Sequence, residues 1–73
     1  MKVISFNINS VRARLHQIEH IRDNLDPDVI GLQETKVNDP EFPIEAINEI
    51  GYHVEHWGGK AHYGVAMLSK EKP

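Results

Sequence analysis

The stretch Val29–Lys36 constrains the fold more than any other part of the chain, because an apolar run ends there abruptly at polar side chains. Asp26-Pro27-Asp28 precedes it and Asn38-Asp39-Pro40 follows it, and both tripeptides are typical of turns. A short apolar run between two turns is typical of a strand buried in a sheet. The sequence therefore predicts a buried strand over Val29–Glu34 that brings the Glu34 carboxylate to the edge of the sheet.

The residues upstream of this stretch predict a strand and a helix. Apolar and polar side chains alternate over Lys2–Asn9, as in a strand with one buried face. We expect Ser10 to cap a helix over Val11–Leu25, where apolar residues recur at helical spacing, and Asp26-Pro27 to end it. A strand, a helix and a strand with short connections form a βαβ unit, so the first two strands should be parallel.

Downstream, the pattern predicts one more helix and a pair of strands. The helix should cover Pro43–Ile50 and stop at Gly51, since glycine accepts the conformation that ends helices. The strands should cover Tyr52–Trp57 and Tyr63–Ser69, and the short loop between them indicates an antiparallel hairpin. The order β-α-β-α-β-β therefore predicts an α/β fold in which helices pack on a mixed sheet.

Length and composition limit how well such a sheet could stand alone. The chain has 73 residues, no cysteine and a net charge of −3. A domain this small buries only about 60% of the surface of its unfolded chain, and no disulfide or thiolate zinc site can stabilise it. A lone sheet of this kind would leave an apolar face and open edges in water. We expect residues 1–73 to be a fragment of a larger domain, with a complete small α/β domain as the alternative.

The sequence also disfavours some cellular roles. Its apolar runs are far shorter than the ~18 residues of a membrane-spanning helix, and its N-terminus lacks the apolar core of a signal peptide. The acidic balance disfavours general binding of polyanions but is compatible with a local basic patch. We therefore expect a cytoplasmic protein without membrane contact.

Side chains that could bind a metal and a phosphate lie where the two parallel strands should end. Asn7 and Asn9 close the first strand, and Glu34 and Lys36 close the second. Ligands gather beyond the carboxyl ends of parallel strands, and a carboxylate with neutral oxygen ligands suits Mg²⁺. Lys36 and Arg12 would then meet phosphate oxygens. The alternative is an ordinary solvated glutamate at a strand end.

A second candidate metal site is His16-Gln17-Ile18-Glu19-His20, which matches the H-x-x-E-H pattern of some zinc peptidases. On a helix, however, both histidines lie away from the apolar stripe. A solvated helix face offers no enclosed site for zinc. We therefore interpret His16 and His20 as surface residues.

Several segments together resemble one known family. They are Ile4–Asn9, Val11–Ala13, Pro27–Lys36, Phe42-Pro43, Gly51-Tyr52 and His62–Ala66. They are similar to the start of the exonuclease III family, the abasic-site branch of the endonuclease/exonuclease/phosphatase superfamily. Leu32–Lys36 is typical of that branch, whereas an asparagine and a glutamate alone would fit the whole superfamily. Ser10 departs from the glycine that is more usual after the family's Asn-x-Asn pattern.

The resemblance implies a Mg²⁺-dependent hydrolase of phosphodiesters in double-stranded DNA, with Mn²⁺ as an alternative ion. Such enzymes remove nucleotides from 3′ ends and cleave the backbone 5′ of abasic sites. The resemblance further implies a monomer with a four-layer αββα sandwich, of which this chain would be the N-terminal part. The general base and the remaining metal ligands would lie beyond Pro73, so the isolated chain is expected to be inactive.

The resemblance also implies roles for individual residues. Glu34 would bind the metal and act in catalysis with Asn7, which would contribute to the metal region and to hydrogen bonds around the phosphate. Active-site support would come from Asn9 and Lys36, and contacts with the DNA backbone from Arg12 and Tyr63. The alternatives are a non-catalytic metal- or nucleic-acid-binding module, or another phosphatase or nuclease of the superfamily.

Overall fold

A four-stranded mixed sheet is the central element of the structure, a computed structural model in which residues 1–58 and 64–72 are described. Its strands are β1 (Val3–Asn7), β2 (Val29–Gln33), β3 (His53–Trp57) and β4 (Val65–Ser69), in the spatial order β1-β2-β4-β3. β1 and β2 pair in parallel, whereas β4 pairs antiparallel with both β2 and β3. The predicted parallel pair, the predicted hairpin and the mixed sheet are therefore confirmed.

Two helices complete the core on one face of the sheet. They are α1 (Leu15–Leu25) and α2 (Ile44–Ile50), and a short 3₁₀ turn (Asp39–Glu41) lies between β2 and α2. The buried apolar cluster joins residues of both helices to alternate residues of the strands, including Ile18, Ile47, Ile30, Leu32, Ala66 and Leu68. Removing this apolar surface from water is the main force that holds the helices on the sheet. The predicted α/β class is confirmed.

The first helix begins later than the sequence predicts. It starts at Leu15 rather than Val11, and its N-cap is Arg14, which makes no side-chain capping bond. Ser10 is no helix cap, because its φ is +87° and its amide donates to the carbonyl of Glu34 at 2.9 Å. The Val11 amide likewise donates to the carbonyl of Thr35 at 3.0 Å. The Arg14 amide then donates to the Val11 carbonyl at 3.2 Å, so residues 11–13 form a turn before the helix begins.

The second strand also ends one residue earlier than predicted, at Gln33 rather than Glu34. Glu34 has a φ of +54°, which lies outside the extended conformation of a strand. The remaining predicted boundaries agree with the observed ones to within two residues, and the predicted ends at Leu25, Ile50 and Trp57 are exact. At the start of β4, Tyr63 lies outside the described residues, so the predicted extension of that strand to Tyr63 is not described.

The face of the sheet opposite the helices is exposed in the described chain. Val3, Val65, Met67 and Trp57 all lie there with more than a third of their surface open to water. The described residues therefore form one helical layer and one sheet, which are two of the layers that an αββα sandwich requires. No helix in the described ranges is long and apolar enough to cross a membrane.

Candidate active site

The carboxyl ends of β1 and β2 bring four predicted site residues into one hydrogen-bonded network. The amide nitrogen of Asn7 donates to Oε2 of Glu34. The Lys36 ammonium donates to Oδ1 of Asn9 at 2.6 Å and lies 3.7 Å from Oε1 of Glu34. The parallel pairing puts both strand ends at one edge of the sheet, which is why residues so distant in sequence meet there.

A bulge in the sheet gives Glu34 its direction. The ladder between β2 and β4 runs regularly as far as Gln33 opposite Val65. The next bond joins the Thr35 amide to the Gly64 carbonyl at 3.1 Å, which shifts the register by one residue at Glu34, as in a β-bulge. Such a bulge turns a side chain away from the regular alternation of the strand. The Glu34 side chain is 33% exposed and can be reached from solvent.

Unusual backbone conformations concentrate at this edge. Asn9, Ser10, Glu34 and Lys36 are four of the five non-glycine residues with positive φ in the described ranges. Each such residue is disfavoured by about 1–3 kcal/mol and persists only where its surroundings hold it. Here the bonds from the Ser10 and Val11 amides to the end of β2 provide that support. Strain of this kind clusters at functional sites, so the edge is the leading candidate for one.

The orientation of the Asn7 amide follows from its two partners. Its Oδ1 accepts the Asn9 backbone amide at 3.1 Å, which leaves its nitrogen to face Glu34. In this arrangement Asn7 holds the carboxylate through a neutral donor and does not balance its charge. Among the described residues, the ion-pair partner of the Glu34 carboxylate is the Lys36 ammonium.

The oxygen atoms at this edge fit a hard divalent cation. Glu34 supplies a carboxylate, and Asn7 and Asn9 supply neutral amide oxygens, which is the donor chemistry that Mg²⁺ prefers. Mg²⁺ needs only one or two protein carboxylates, because waters and substrate phosphate complete its shell. Within residues 1–58 and 64–72, no group of three or more histidine, aspartate or glutamate side chains converges, so further carboxylates would have to come from elsewhere.

Basic side chains surround the same edge. Arg12 forms an ion pair with Glu41 at 3.0 Å, and both side chains are more than half exposed. An exposed pair of this kind is worth about 0–1 kcal/mol, so Arg12 can exchange it for another anion. Arg14 donates from Nε to the Asn9 carbonyl at 3.0 Å. Sequence analysis missed Arg14 because it placed this residue inside a helix, although the Arg-x-Arg spacing was visible. Tyr63, the other predicted DNA contact, lies outside the described residues.

The histidine pair on α1 offers no enclosed metal site. His16 and His20 are both exposed, as the helical spacing predicts. The part of α1 beside them that faces the sheet is apolar, with Ile18 fully buried. Neither histidine contacts the polar network at the strand ends among the bonds of the described residues, so the zinc-peptidase interpretation receives no support.

Comparison with known proteins places these features in a family. The Endonuclease/Exonuclease/phosphatase family matches residues 4–73. An exodeoxyribonuclease III from Haemophilus influenzae is 60% identical over 73 residues, which are 100% of this chain and 27% of that protein. An AP endonuclease structure from Archaeoglobus fulgidus has a TM-score of 0.91 and 42% identity, over 100% of this chain and 28% of its own. The 3′ phosphatase NExo from Neisseria, solved with a product DNA hairpin, has a TM-score of 0.88 and 35% identity over the same shares.

These matches cover the whole chain but only part of each relative. The chain spans 27% of the Haemophilus protein and 28% of each of the two matched structures. The described sheet, helices and strand-end network therefore correspond to little more than a quarter of a family member.

Proposed function

The chain belongs to the endonuclease/exonuclease/phosphatase family, and we propose that it provides one part of the active site of a metal-dependent DNA-repair nuclease. The observation that supports this most is the hydrogen-bonded network of Glu34, Asn7, Asn9 and Lys36 at the carboxyl ends of β1 and β2. It combines a carboxylate, neutral amides and an ammonium at an accessible edge with a strained backbone. Phosphodiester hydrolysis needs such groups, because negative charge on the phosphate must be neutralised.

We assign metal binding to Glu34 and propose Mg²⁺ as the ion. Mn²⁺ could replace it, because both ions prefer oxygen ligands. A bound ion would neutralise charge on the phosphate and lower the pKa of a coordinated water. Asn7 would orient the Glu34 carboxylate through its amide nitrogen and offer its oxygen to the metal region. Lys36 would hold Asn9 and face the phosphate.

The proposed substrate is double-stranded DNA with 3′ ends or abasic sites. The names of the relatives support this class, since they include an exodeoxyribonuclease, an AP endonuclease and a phosphatase bound to a DNA hairpin. Arg12 would contact the DNA backbone by leaving its exposed pair with Glu41 for a phosphate oxygen. Tyr63 is proposed as a second backbone contact on the grounds of the resemblance alone. The acting species is proposed to be a monomer.

We further propose that residues 1–73 form the N-terminal part of a single catalytic domain. The chain matches about a quarter of its relatives' length, and the sheet face with Val3, Val65 and Met67 is exposed in the described chain. The general base and the other metal ligands would come from the rest of that domain. The 73-residue chain alone is accordingly expected to show no nuclease activity.

The decisive experiment substitutes Glu34 in the intact protein. Glu34→Ala should lower Mg²⁺-dependent cleavage of a duplex with one abasic site by about 100-fold or more, because a metal ligand supplies several kcal/mol of transition-state stabilisation. Glu49→Ala removes an exposed carboxylate on α2, away from the strand ends, and should leave the rate unchanged. Full activity of Glu34→Ala with an unaltered Mg²⁺ requirement would contradict the metal assignment.

A further inference from the structure

Gly64 lies where a side chain has no room. A Cβ placed on Gly64 would overlap the hydroxyl oxygen of Thr35 and would lie 3.3 Å from Cα of Gly58 and 3.4 Å from the carbonyl oxygen of Trp57. The φ of Gly64 lies outside the left-handed region, so its backbone conformation does not itself require glycine. The requirement comes from close packing against Thr35.

Thr35 cannot easily move away from such an added atom. It is only 1% exposed. Its amide donates to the Gly64 carbonyl at 3.1 Å, and its carbonyl accepts the Val11 amide at 3.0 Å. Closely packed interiors transmit strain because they contain few voids into which atoms can retreat. Pressure on the Thr35 hydroxyl would therefore displace the backbone around it.

The first residue that such a displacement reaches is Glu34. It is the bulged residue directly before Thr35, its φ is +54°, and its carbonyl is bonded to the Ser10 amide. Its direction thus depends on the bond to Ser10 on one side and on the contact between Thr35 and Gly64 on the other. Glu34 is also the residue whose carboxylate Asn7 holds.

We propose that the close contact between Gly64 and Thr35 positions the Glu34 carboxylate for metal binding, and that Gly64 is therefore a positioning residue of the site. This inference rests on the proposed function, in which Glu34 is the metal ligand. Gly64 touches neither metal nor DNA in this account and acts only through Thr35. A displacement of about 1 Å at a reacting group can lower a rate by 10²-fold.

The test is Gly64→Ala in the intact protein, with metal affinity and steady-state kinetics as readouts. We expect the Mg²⁺ concentration for half-maximal activity to rise and kcat to fall by roughly 10- to 100-fold. The KM for abasic-site DNA does not discriminate here, because the neighbouring Tyr63 is itself proposed to contact the DNA backbone. Mn²⁺ binding can also be titrated directly, with the free ion monitored by electron paramagnetic resonance. This titration should show weaker metal binding in the absence of any turnover.

Gly31→Ala is the matched control. Gly31 lies in β2, on the same strand that leads to Glu34, and a Cβ there would lie 3.8 Å from the Ile4 carbonyl oxygen, which is an ordinary contact. The same chemical change without a clash should leave metal affinity and kcat close to those of the unsubstituted protein. An equal loss in Gly31→Ala would show that any added methyl in this sheet disturbs the site, and would overturn the proposal.

Combining Gly64→Ala with a substitution at Thr35 tests whether the overlap with the Thr35 hydroxyl causes the loss of metal affinity. Thr35→Ala removes the hydroxyl, so Gly64→Ala combined with Thr35→Ala should bind Mn²⁺ at least several-fold more tightly than Gly64→Ala alone. Thr35→Val keeps an atom of similar size in place of the hydroxyl and should give no such recovery. If the Gly64→Ala protein fails to fold by circular dichroism, the double variant decides: recovered folding with recovered affinity supports the proposal, and recovered folding with weak affinity overturns it.

The two proposals fail in different ways. If Glu34→Ala abolishes Mn²⁺ binding while Gly64→Ala leaves it unchanged, the positioning role is wrong and the metal assignment stands. If Glu34→Ala leaves Mn²⁺ binding unchanged, the metal assignment is wrong and the positioning role falls with it.

Discussion

The two ends of β2 are both rich in polar groups, but they bond these groups in different ways. At the amino end, the side chains of Asp28 and Tyr52 bond to the main chain. The Asp28 carboxylate accepts the Lys2 backbone amide at 2.7 Å, and the buried Tyr52 hydroxyl donates to the Pro27 carbonyl at 3.0 Å. At the carboxyl end, the Glu34 carboxylate is held by other side chains, those of Asn7 and Lys36.

This difference separates stability from function within one strand. A side chain that bonds to the main chain holds a turn in place, and its loss leaves a backbone group without a partner. A network of side chains at an accessible edge can instead exchange its partners for a metal or a phosphate without unfolding the chain. Substitutions at the amino end should therefore change stability, and substitutions at the carboxyl end should change binding.

The largest expected effect on stability is at Tyr52. Tyr52→Phe removes the hydroxyl and leaves the buried Pro27 carbonyl without its donor, which should lower the free energy of unfolding by about 1–3 kcal/mol. Metal affinity should not change. Urea unfolding of the intact protein and Mn²⁺ titration measure the two quantities. Lys36→Met, at the carboxyl end of β2, is the matched comparison. It should change the free energy of unfolding by less than about 0.5 kcal/mol.

The same hydroxyl predicts a response to alkaline pH. Burial raises the pKa of Tyr52 above its ordinary value, so the folded protein holds this proton more tightly than the unfolded chain. The corresponding stability is fully present below the unfolded pKa and is lost as pH rises through the folded pKa. The stability difference between the unsubstituted protein and Tyr52→Phe should therefore shrink in alkaline solution. A difference that stays constant into strongly alkaline pH would contradict this sign.

A smaller effect on stability is expected at Glu34. There the residue proposed for metal binding has a backbone conformation that lowers the stability of the fold. Glu34 has a φ of +54°, where a Cβ is disfavoured by roughly 1–2 kcal/mol and glycine is not. Glu34→Gly should therefore be about 1 kcal/mol more stable than Glu34→Ala, although both lose the proposed metal ligand. Urea unfolding of the two variants tests this. Equal stabilities would show that the bulge relaxes once the glutamate is gone.

The main outline of this arrangement could be predicted from sequence. The apolar run before Glu34 and the short βαβ connections were sufficient to predict parallel strands that end at a common edge. Hydrophobic patterning reports burial, and burial decides which faces of α1 and β2 meet. For the same reason, the exposed position of His16 and His20 on α1 was predictable from helical spacing.

What sequence could not predict depends on bonds between distant residues. α1 starts only at Leu15 because Ser10, whose φ is +87° and whose amide is bonded to the Glu34 carbonyl, does not cap a helix. The bulge at Glu34 depends on pairing with Gly64 across the sheet. Local propensity contains no information on such pairings. Arg14 was missed for the same reason, since its place at the edge requires that the helix has not yet begun.

The smallest expected effect lies at the amino end and concerns acid. The hydrogen bond from the Lys2 amide lowers the pKa of Asp28 below its ordinary value, so the folded protein binds this proton less readily than the unfolded chain. The corresponding stability is present above the unfolded pKa and is lost as pH falls through the folded pKa. Asp28→Asn keeps an oxygen that can accept the Lys2 bond but cannot titrate. The stability advantage of the unsubstituted protein over Asp28→Asn should therefore be visible at neutral pH and should vanish in acid. An advantage that grew in acid would show that Asp28 is not held as an anion by the main chain, and the two ends of β2 would then differ less than their hydrogen bonds indicate.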